Sequence, residues 1–492
     1  MKYSFKRRMY YETQQALNST TVSFLLGPRK CGKTVCLQQL SEDYNNAVYI
    51  NVKSDYVTDS DRRSLIDSVI DDIKNDSDRI YLIDEATYLS APDKDIAKIA
   101  DALSQYNNSN TRIIFAGSQS KALEFWGHIA FAGNASFIQG DFLSYPEWLD
   151  YKGIKEVSEE TYIDYISNTR EFYKDFVSTK DYLYGCLDET VVSNNRSVEY
   201  VLGNDIGELD SEMLLDTLYA ALISLHNHTR YETFVDSKLL SRTVANQFAI
   251  EKLGISDEVV INRATDLLSN RYNRFKTMDA YDCKKALQFL SNCGLITLSY
   301  VTDDLNTDPY ITSKILKDSN DLYRKPDIFE KFNITINYPM FIVDIVSELL
   351  KDKMPNELPR TFLGSIVECH VRSMLPSSGS IMFRTERGEE IDYVSLSGSA
   401  IECSVRNKKN KDTHFHLLPE SFDKILLTKD STGTSSNITR IPYYEYIYNL
   451  SSGAAYNYAI SSCKNKQQDS INEIMDNDTE PDPTDDSEDI DP

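Results

Sequence analysis

Gly27-Pro28-Arg29-Lys30-Cys31-Gly32-Lys33-Thr34 follows the spacing GxxxxGKT, a pattern whose chemistry is phosphate binding. The two glycines give the backbone freedom to turn its N–H groups onto an anion. Lys33 reaches the outer phosphates of a nucleotide, and the Thr34 hydroxyl takes one Mg²⁺ position. Further on, Arg79-Ile80-Tyr81-Leu82-Ile83-Asp84-Glu85 is an apolar run ending in two carboxylates. Beside a bound nucleotide the first, Asp84, holds the water shell of Mg²⁺, and the second, Glu85, polarises the attacking water. A third apolar run, Arg112 to Gly117, leads into Ser118 and Gln119. A polar side chain there contacts the γ-phosphate, or else caps the helix that starts at Ser120. The expected nucleotide contacts are therefore Gly27, Pro28, Arg29, Lys30, Cys31, Gly32, Lys33, Thr34, Ser118 and Gln119. Thr34 and Asp84 are the expected Mg²⁺ positions, with Lys33, Asp84 and Glu85 in hydrolysis.

Such residues act only if strands and helices bring them together. Val22 to Leu26 suits a buried strand, and Val35 to Leu40 reads as the first turns of a helix. Ala47 to Val52 and Asp61 to Lys74 supply one further strand and helix before Asp84. This alternation predicts an α/β fold over residues 1–150, a parallel sheet with helices on both faces. Residues 151–210, helical and rich in tyrosine, read as a lid or connector. Residues 211–325 hold helices that close on Gly294 and the strand Leu295 to Tyr300, a pattern that predicts a winged helix. Residues 326–465 form a last ordered region, and 466–492 an acidic tail expected to be disordered. Eleven acids lie between Asp469 and Asp491 with no Lys or Arg among them.

The 326–465 region carries a second constellation. A helix from Phe362 to Met374 presents Glu368, a strand holds Asp392, and the next holds Glu402. A helix acid with carboxylates on paired strands is the metal-site layout of PD-(D/E)xK nucleases, with an α+β, restriction-endonuclease-like fold. Position 404, where such a site has its lysine, is Ser404. Arg406, on the same strand face, and the basic run Lys408, Lys409 and Lys411 lie close by in sequence.

The net charge of −24 disfavours broad nucleic-acid coating. No apolar run reaches bilayer length, and Met1 to Arg8 has no hydrophobic core behind its charges, so a cytoplasmic protein is expected. Eight cysteines form no CxxC pair, which argues against zinc and a disulfide framework.

Taken in order along the chain, these segments resemble bacterial AAA-type ATPases that carry a winged helix and a C-terminal domain of nuclease-like fold and unknown function. The opening strand and loop resemble the family's "GpRqvGKTtll", Arg112 to Ser120 its "kiilTGSs", and Ser144 to Trp148 its "plsFxEf". Tyr200 to Ile206, Phe341 to Asp344, Gly364 to Glu368, Glu390 to Val394, Ile401-Glu402 and Lys424 to Pro442 resemble its later signatures. The resemblance implies ATP as the nucleotide, with Mg²⁺. It departs twice: Gly133-Asn134 stands where the family has Gly-Arg, and Ser404 replaces the nuclease lysine. If the family arginine senses the γ-phosphate, hydrolysis here is slower. The expected function is an ATP-binding, slowly hydrolysing switch that engages an unidentified protein partner. The alternatives are an ATP-gated nuclease using Glu368, Asp392 and Glu402, and an interaction module with structural ATP. Nucleic acid is the less favoured partner, no membrane is expected, and a homo-oligomer stays open.

Overall fold

A computed structural model describes residues 4–107, 109–173, 176, 178–192, 209–224, 240–302, 332–350, 359–375, 380–384, 389–395, 398–407 and 413–452. The expected acidic tail, Tyr200 to Ile206 and the lysines at 408, 409 and 411 lie outside these residues. The first region is α1 (Arg8–Ser19), β1 (Val22–Leu26), α2 (Lys33–Asp43), β2 (Ala47–Asn51), α3 (Asp59–Lys74), β3 (Ile80–Asp84), α4 (Pro92–Gln105), β4 (Arg112–Ala116), α5 (Ser120–Phe131) and β5 (Ser136–Gln139). The strands form one parallel sheet in the order β2-β3-β4-β1-β5. Residues of β1 and β3 are buried throughout, as a parallel sheet covered on both faces requires. One face packs Phe24 between Phe115 and Phe137, with ring centroids 5.2 and 5.3 Å apart. The other packs Leu25, Leu82 and Ile114 against α1 and α2.

The strand order has a chemical consequence. Because β4 lies between β1 and β3, the loop after β4 stands between the phosphate loop after β1 and the carboxylates that end β3. Strand C-termini in such sheets are where ligands bind.

A short helix, α6 (Tyr145–Lys152), leaves this sheet through a capping box of Ser144 and Glu147. After it come α7 (Glu159–Asn168), α8 (Thr179–Val192), α9 (Ser211–Ser224), α10 (Arg242–Gln247), α11 (Glu258–Thr277) and α12 (Ala280–Asn292). The expected winged helix and nuclease-like region share one sheet. Strand β6 (Ile296–Thr302) pairs antiparallel with β7 (Phe332–Ile336) and parallel with β8 (Ser380–Arg384). Beyond β8 lie β9 (Glu390–Ser395), β10 (Ser399–Cys403), β11 (Asp423–Thr428), β12 (Gly433–Ser435) and β13 (Ile438–Pro442), in the order β12-β13-β11-β10-β9-β8-β6-β7. The boundary expected at residue 325 thus falls between the two strands of a hairpin, β6 and β7. Helices α13 (Pro339–Leu350), α14 (Arg360–Met374) and α15 (Tyr443–Ser451) cover one face, in a core continuous with α6 to α9. No helix among the described residues is long and apolar enough to cross a membrane.

Candidate nucleotide site

The phosphate loop is built by two glycines in conformations that side chains resist. Gly27 has φ +136°, and a Cβ there would collide with the carbonyl of Gly140. Gly32 has φ +108° and caps α2 with no side-chain hydrogen bond. The first amides of α2 therefore have neither an intrahelical acceptor nor a cap, the arrangement that receives an anion. Lys33 is 7% exposed, and its ammonium donates to the carbonyls of Gly27 and Pro28, both at 2.8 Å. These carbonyls hold the cation at the mouth of the loop, from which it can turn to a phosphate.

Asp84 ends β3 and is 1% exposed. Its Oδ2 accepts from Tyr49 Oη at 2.9 Å and its Oδ1 from the amide of Glu85 at 3.1 Å. Burial, and then the Asp84 charge, pushes the Tyr49 hydroxyl well above its ordinary pKa, so it stays a donor. Glu85 sits at φ +54°, a strained position for a residue with a side chain. Its Oε2 accepts from both the amide (3.2 Å) and the hydroxyl (3.0 Å) of Ser118. Ser118 thus meets Glu85, while Gln119 is the residue that caps α5, without a side-chain cap bond. Ser120 instead braces the loop, with its Oγ 2.7 Å from both the amide and the carbonyl oxygen of Gly27. These residues carry a buried cation, free amides, a hydroxyl at Thr34 and two carboxylates, a donor set that fits a nucleotide with Mg²⁺.

The loop is also tied to elements outside its sheet. Arg7 donates to the carbonyl of Cys31 at 2.6 Å and, through Nε and Nη2, to Glu147 at 3.1 and 2.7 Å. Burial alone would raise the Glu147 pKa, but the Arg7 charge and the amides of Ser144 and Arg8 bring it below the ordinary value. Arg29 does not turn into the loop. Its guanidinium donates to the carbonyl of Gly185 on α8, and Tyr182 Oη donates to the Arg29 carbonyl at 3.3 Å. A Cβ on Gly185 would lie 3.0 Å from Arg29 Nη1, so glycine leaves room for the guanidinium.

Asn134 lies before β5, at the end of the sheet opposite the phosphate loop; its amide closes the end of α5 on the Phe131 carbonyl at 2.8 Å. An arginine at this position would begin a strand whose far end meets Leu26. Its absence therefore gives no reason, within one chain, for slow hydrolysis.

The second constellation is brought together, but around an arginine. Glu368, Asp392 and Glu402 are 9%, 8% and 3% exposed. Arg372, four residues after Glu368 on α14, donates to Glu368 Oε1 at 2.9 Å and to the main-chain carbonyl of Asp392 at 2.6 Å. Asp392 Oδ2 accepts from the Cys403 amide at 2.6 Å, and Glu402 Oε2 from the His414 amide at 3.2 Å. Burial, followed by the charges of Glu368, Glu390 and Glu402, pushes the Asp392 carboxyl well above its ordinary pKa. Among the described residues no group of three or more His, Cys, Asp or Glu side chains is disposed to hold a metal ion. At the expected second metal site the Arg372 guanidinium meets Glu368, and a main-chain amide meets one oxygen each of Asp392 and Glu402. Strand β10 ends at Cys403, and Ser404 turns back onto Arg406 through its hydroxyl, which ends the strand-face relation expected of Arg406.

Residues 19–149 match the family model described as an AAA domain. The match covers this part of the chain only, whose parallel five-stranded sheet with flanking helices is like that of AAA P-loop ATPases. Among solved structures, a Walker-type ATPase of Pyrococcus abyssi is similar at 13% identity, over 71% of this chain and 96% of that one, with a TM-score of 0.30. Cdc6p from Pyrobaculum aerophilum is similar at 14% identity, over 72% and 98%, with a TM-score of 0.26. AMPPCP-bound DnaA from Aquifex aeolicus gives 13%, 55% and 88%, with a TM-score of 0.23. Overlap this loose fixes nothing about function. No curated protein matches the chain.

Sequence reading missed Arg7, Glu147, Ser120, Gly185 and Arg372. Only Arg372 left a local signal, the i, i+4 spacing from Glu368 that pairs side chains on one helix face. The Arg7–Glu147, Gly27–Ser120 and Arg29–Gly185 contacts span 93 to 156 residues of chain.

Proposed function

We propose that this chain binds ATP with Mg²⁺ at Gly27 to Thr34, hydrolyses it slowly, and passes its nucleotide state to the helical and C-terminal regions to engage a protein partner. The observation that carries this reading is the bonding of the phosphate loop to α8 through Arg29 and Gly185, outside the AAA-type sheet. A loop that rearranges around a nucleotide must move Arg29, and Arg29 is fixed to a helix whose first turn is itself held by α13. Thr179 donates to Asp344 through its amide (2.7 Å) and hydroxyl (2.6 Å). Loop, α8 and α13 thus form one bonded path.

Thr34 and Asp84 would hold Mg²⁺, which would neutralise phosphate charge. Lys33 leaves the carbonyls of Gly27 and Pro28 for the phosphates, and the amides of α2 orient them. Glu85 takes a proton from the attacking water at its carboxylate. Its engagement with Ser118 supports a slow rate, because the carboxylate oxygen that accepts both hydrogen bonds must be released or turned before it can take a proton from water. The test is Glu85→Gln. ATP turnover should fall by about 10²-fold or more while ATP affinity is kept. Unchanged turnover would remove Glu85 from the hydrolytic machinery, and absent turnover in the parent would leave the chain a nucleotide-binding module.

A further inference from the structure

A crevice of about 680 Å³ lies between the AAA-type sheet and the C-terminal region, outside the nucleotide site. Its walls come from α1, β5, the segment leading into α6, and the helices α14 and α15. The volume is that of a small-molecule or side-chain site. Its ionisable groups are matched except for one. Arg7 is bound to Glu147, and Arg8 is bound to Glu12 at 2.6 Å and to the Ser451 carbonyl at 2.7 Å. Asp141 has no direct ion pair among the described residues, although the charges of Arg7 and Arg8 reach it. Its Oδ1 accepts from Tyr338 Oη at 2.6 Å, and its other oxygen has no protein donor among the described residues.

Asp141 is exposed to the crevice, yet enough protein surrounds it that burial raises its pKa against the lowering effects of the Tyr338 hydrogen bond and the more distant charges of Arg7 and Arg8. A carboxylate in that setting gains from a cation that enters with it. The wall also offers Gln15, Gln139 and Asn337 as polar side chains, and Ala16, Met374 and Leu450 as apolar surface. The geometry points to a binding site for an aliphatic cation, an ammonium or guanidinium head on an alkyl stem, with Asp141 as its counter-ion and Tyr338 fixing the carboxylate. Such a head accompanies either a free amine or the Lys or Arg side chain of a peptide; their shared chemistry is the proposal. The site does not depend on ATP hydrolysis. Asp141 follows Gly140, the residue against which Gly27 packs, so an occupant here would lie one residue from the phosphate loop's support.

The test is calorimetric titration of the full chain at low salt, without nucleotide, using agmatine, spermidine, acetyl-Gly-Lys-Gly-amide and acetyl-Gly-Arg-Gly-amide. The same peptide with norleucine is the uncharged control. At least one cation should saturate a single site, and Asp141→Asn should weaken it about tenfold or more, as loss of a charged hydrogen-bond partner does. Asp141→Glu, which keeps the charge, should stay within about threefold, so that a misfolded Asn variant is recognised as such. Saturation by the peptides alone names a polypeptide side chain as the source, and by the amines alone a free amine; both support the site. The acidic tail also attracts amines, but equally in all variants. The proposal is overturned if no cation saturates, if Asp141→Asn binds as well as the parent, or if the norleucine peptide binds as tightly.

Discussion

The phosphate loop and the acidic cluster of the C-terminal sheet have similar parts, a basic residue and carboxylates on neighbouring strands, yet they are prepared for opposite ends. At the loop the cation is Lys33, held by two carbonyl oxygens that it can leave without stranding a charge. The amides of α2 beside it have no cap. In the cluster the cation is Arg372, 4% exposed and bound to a carboxylate and a carbonyl. Main-chain amides occupy Asp392 and Glu402. Donors left open make a site, whereas donors already matched make a core. Residue types alone do not distinguish the two, because the difference lies in the partners.

The sharpest way to break this comparison is at Lys33. Lys33→Ala removes the buried charge held at the mouth of the loop, and ATP affinity should fall by about a hundredfold or more, measured by titration with a fluorescent analogue. The fold should persist, since the carbonyls of Gly27 and Pro28 lie at the loop's open mouth. Retained affinity would mean that the loop is no more a ligand site than the cluster is.

Arg372 tests the other side. Arg372→Met removes the guanidinium from buried Glu368 and should cost about 3–5 kcal/mol of stability, read as a lowered denaturation midpoint. Millimolar Mn²⁺ should not restore it. If Mn²⁺ raises the midpoint of the parent, the cluster is a metal site and the contrast with the loop collapses.

How much of this was legible follows from what a sequence encodes locally. The GxxxxGKT spacing, Asp84 and Glu85, and the alternation that gives a parallel sheet all lie within short windows, and the AAA-type fold came out as expected. Periodicity tells which face of an element is apolar but not which element covers it. For that reason β6 could be read as the wing of a small domain, although it pairs with β8 some eighty residues later. Arg7 and Glu147 were invisible as a pair for the same reason. Asn134 was misleading in another way: its position in a motif said nothing about which end of β5 it would occupy.

A smaller effect tests the core that joins the two regions. His370 on α14 is buried, with its Nδ1 3.0 Å from Tyr162 Oη of α7, and burial pushes its pKa down to about 3. Between the ordinary value near 6.5 and about 3, the unfolded chain takes up a proton that the folded chain refuses. Stability is therefore full above pH 6.5 and falls as the pH drops, by about 2 kcal/mol at pH 5. Denaturation midpoints between pH 7.5 and 5 should show this slope, and His370→Gln should flatten it. An equal slope in the variant would assign the acid sensitivity to other groups.

The smallest expected effect lies where the loop meets α8. Gly185→Ala adds a methyl 3.0 Å from Arg29 Nη1, so the guanidinium must shift by a few tenths of an ångström. Alanine favours a helix interior over glycine by about 1 kcal/mol, which offsets the crowding, and net stability should change by less than about 1 kcal/mol. What should change is the communication between the two regions. In the parent, ATP with Mg²⁺ should slow amide exchange in α8 and around Asp344 of α13. In Gly185→Ala that protection should shrink while exchange slows as before in α2, because the nucleotide still binds but pulls less firmly on α8. If α8 responds to ATP equally in both proteins, the Arg29 contact is only packing, and the loop is isolated from the C-terminal sheet.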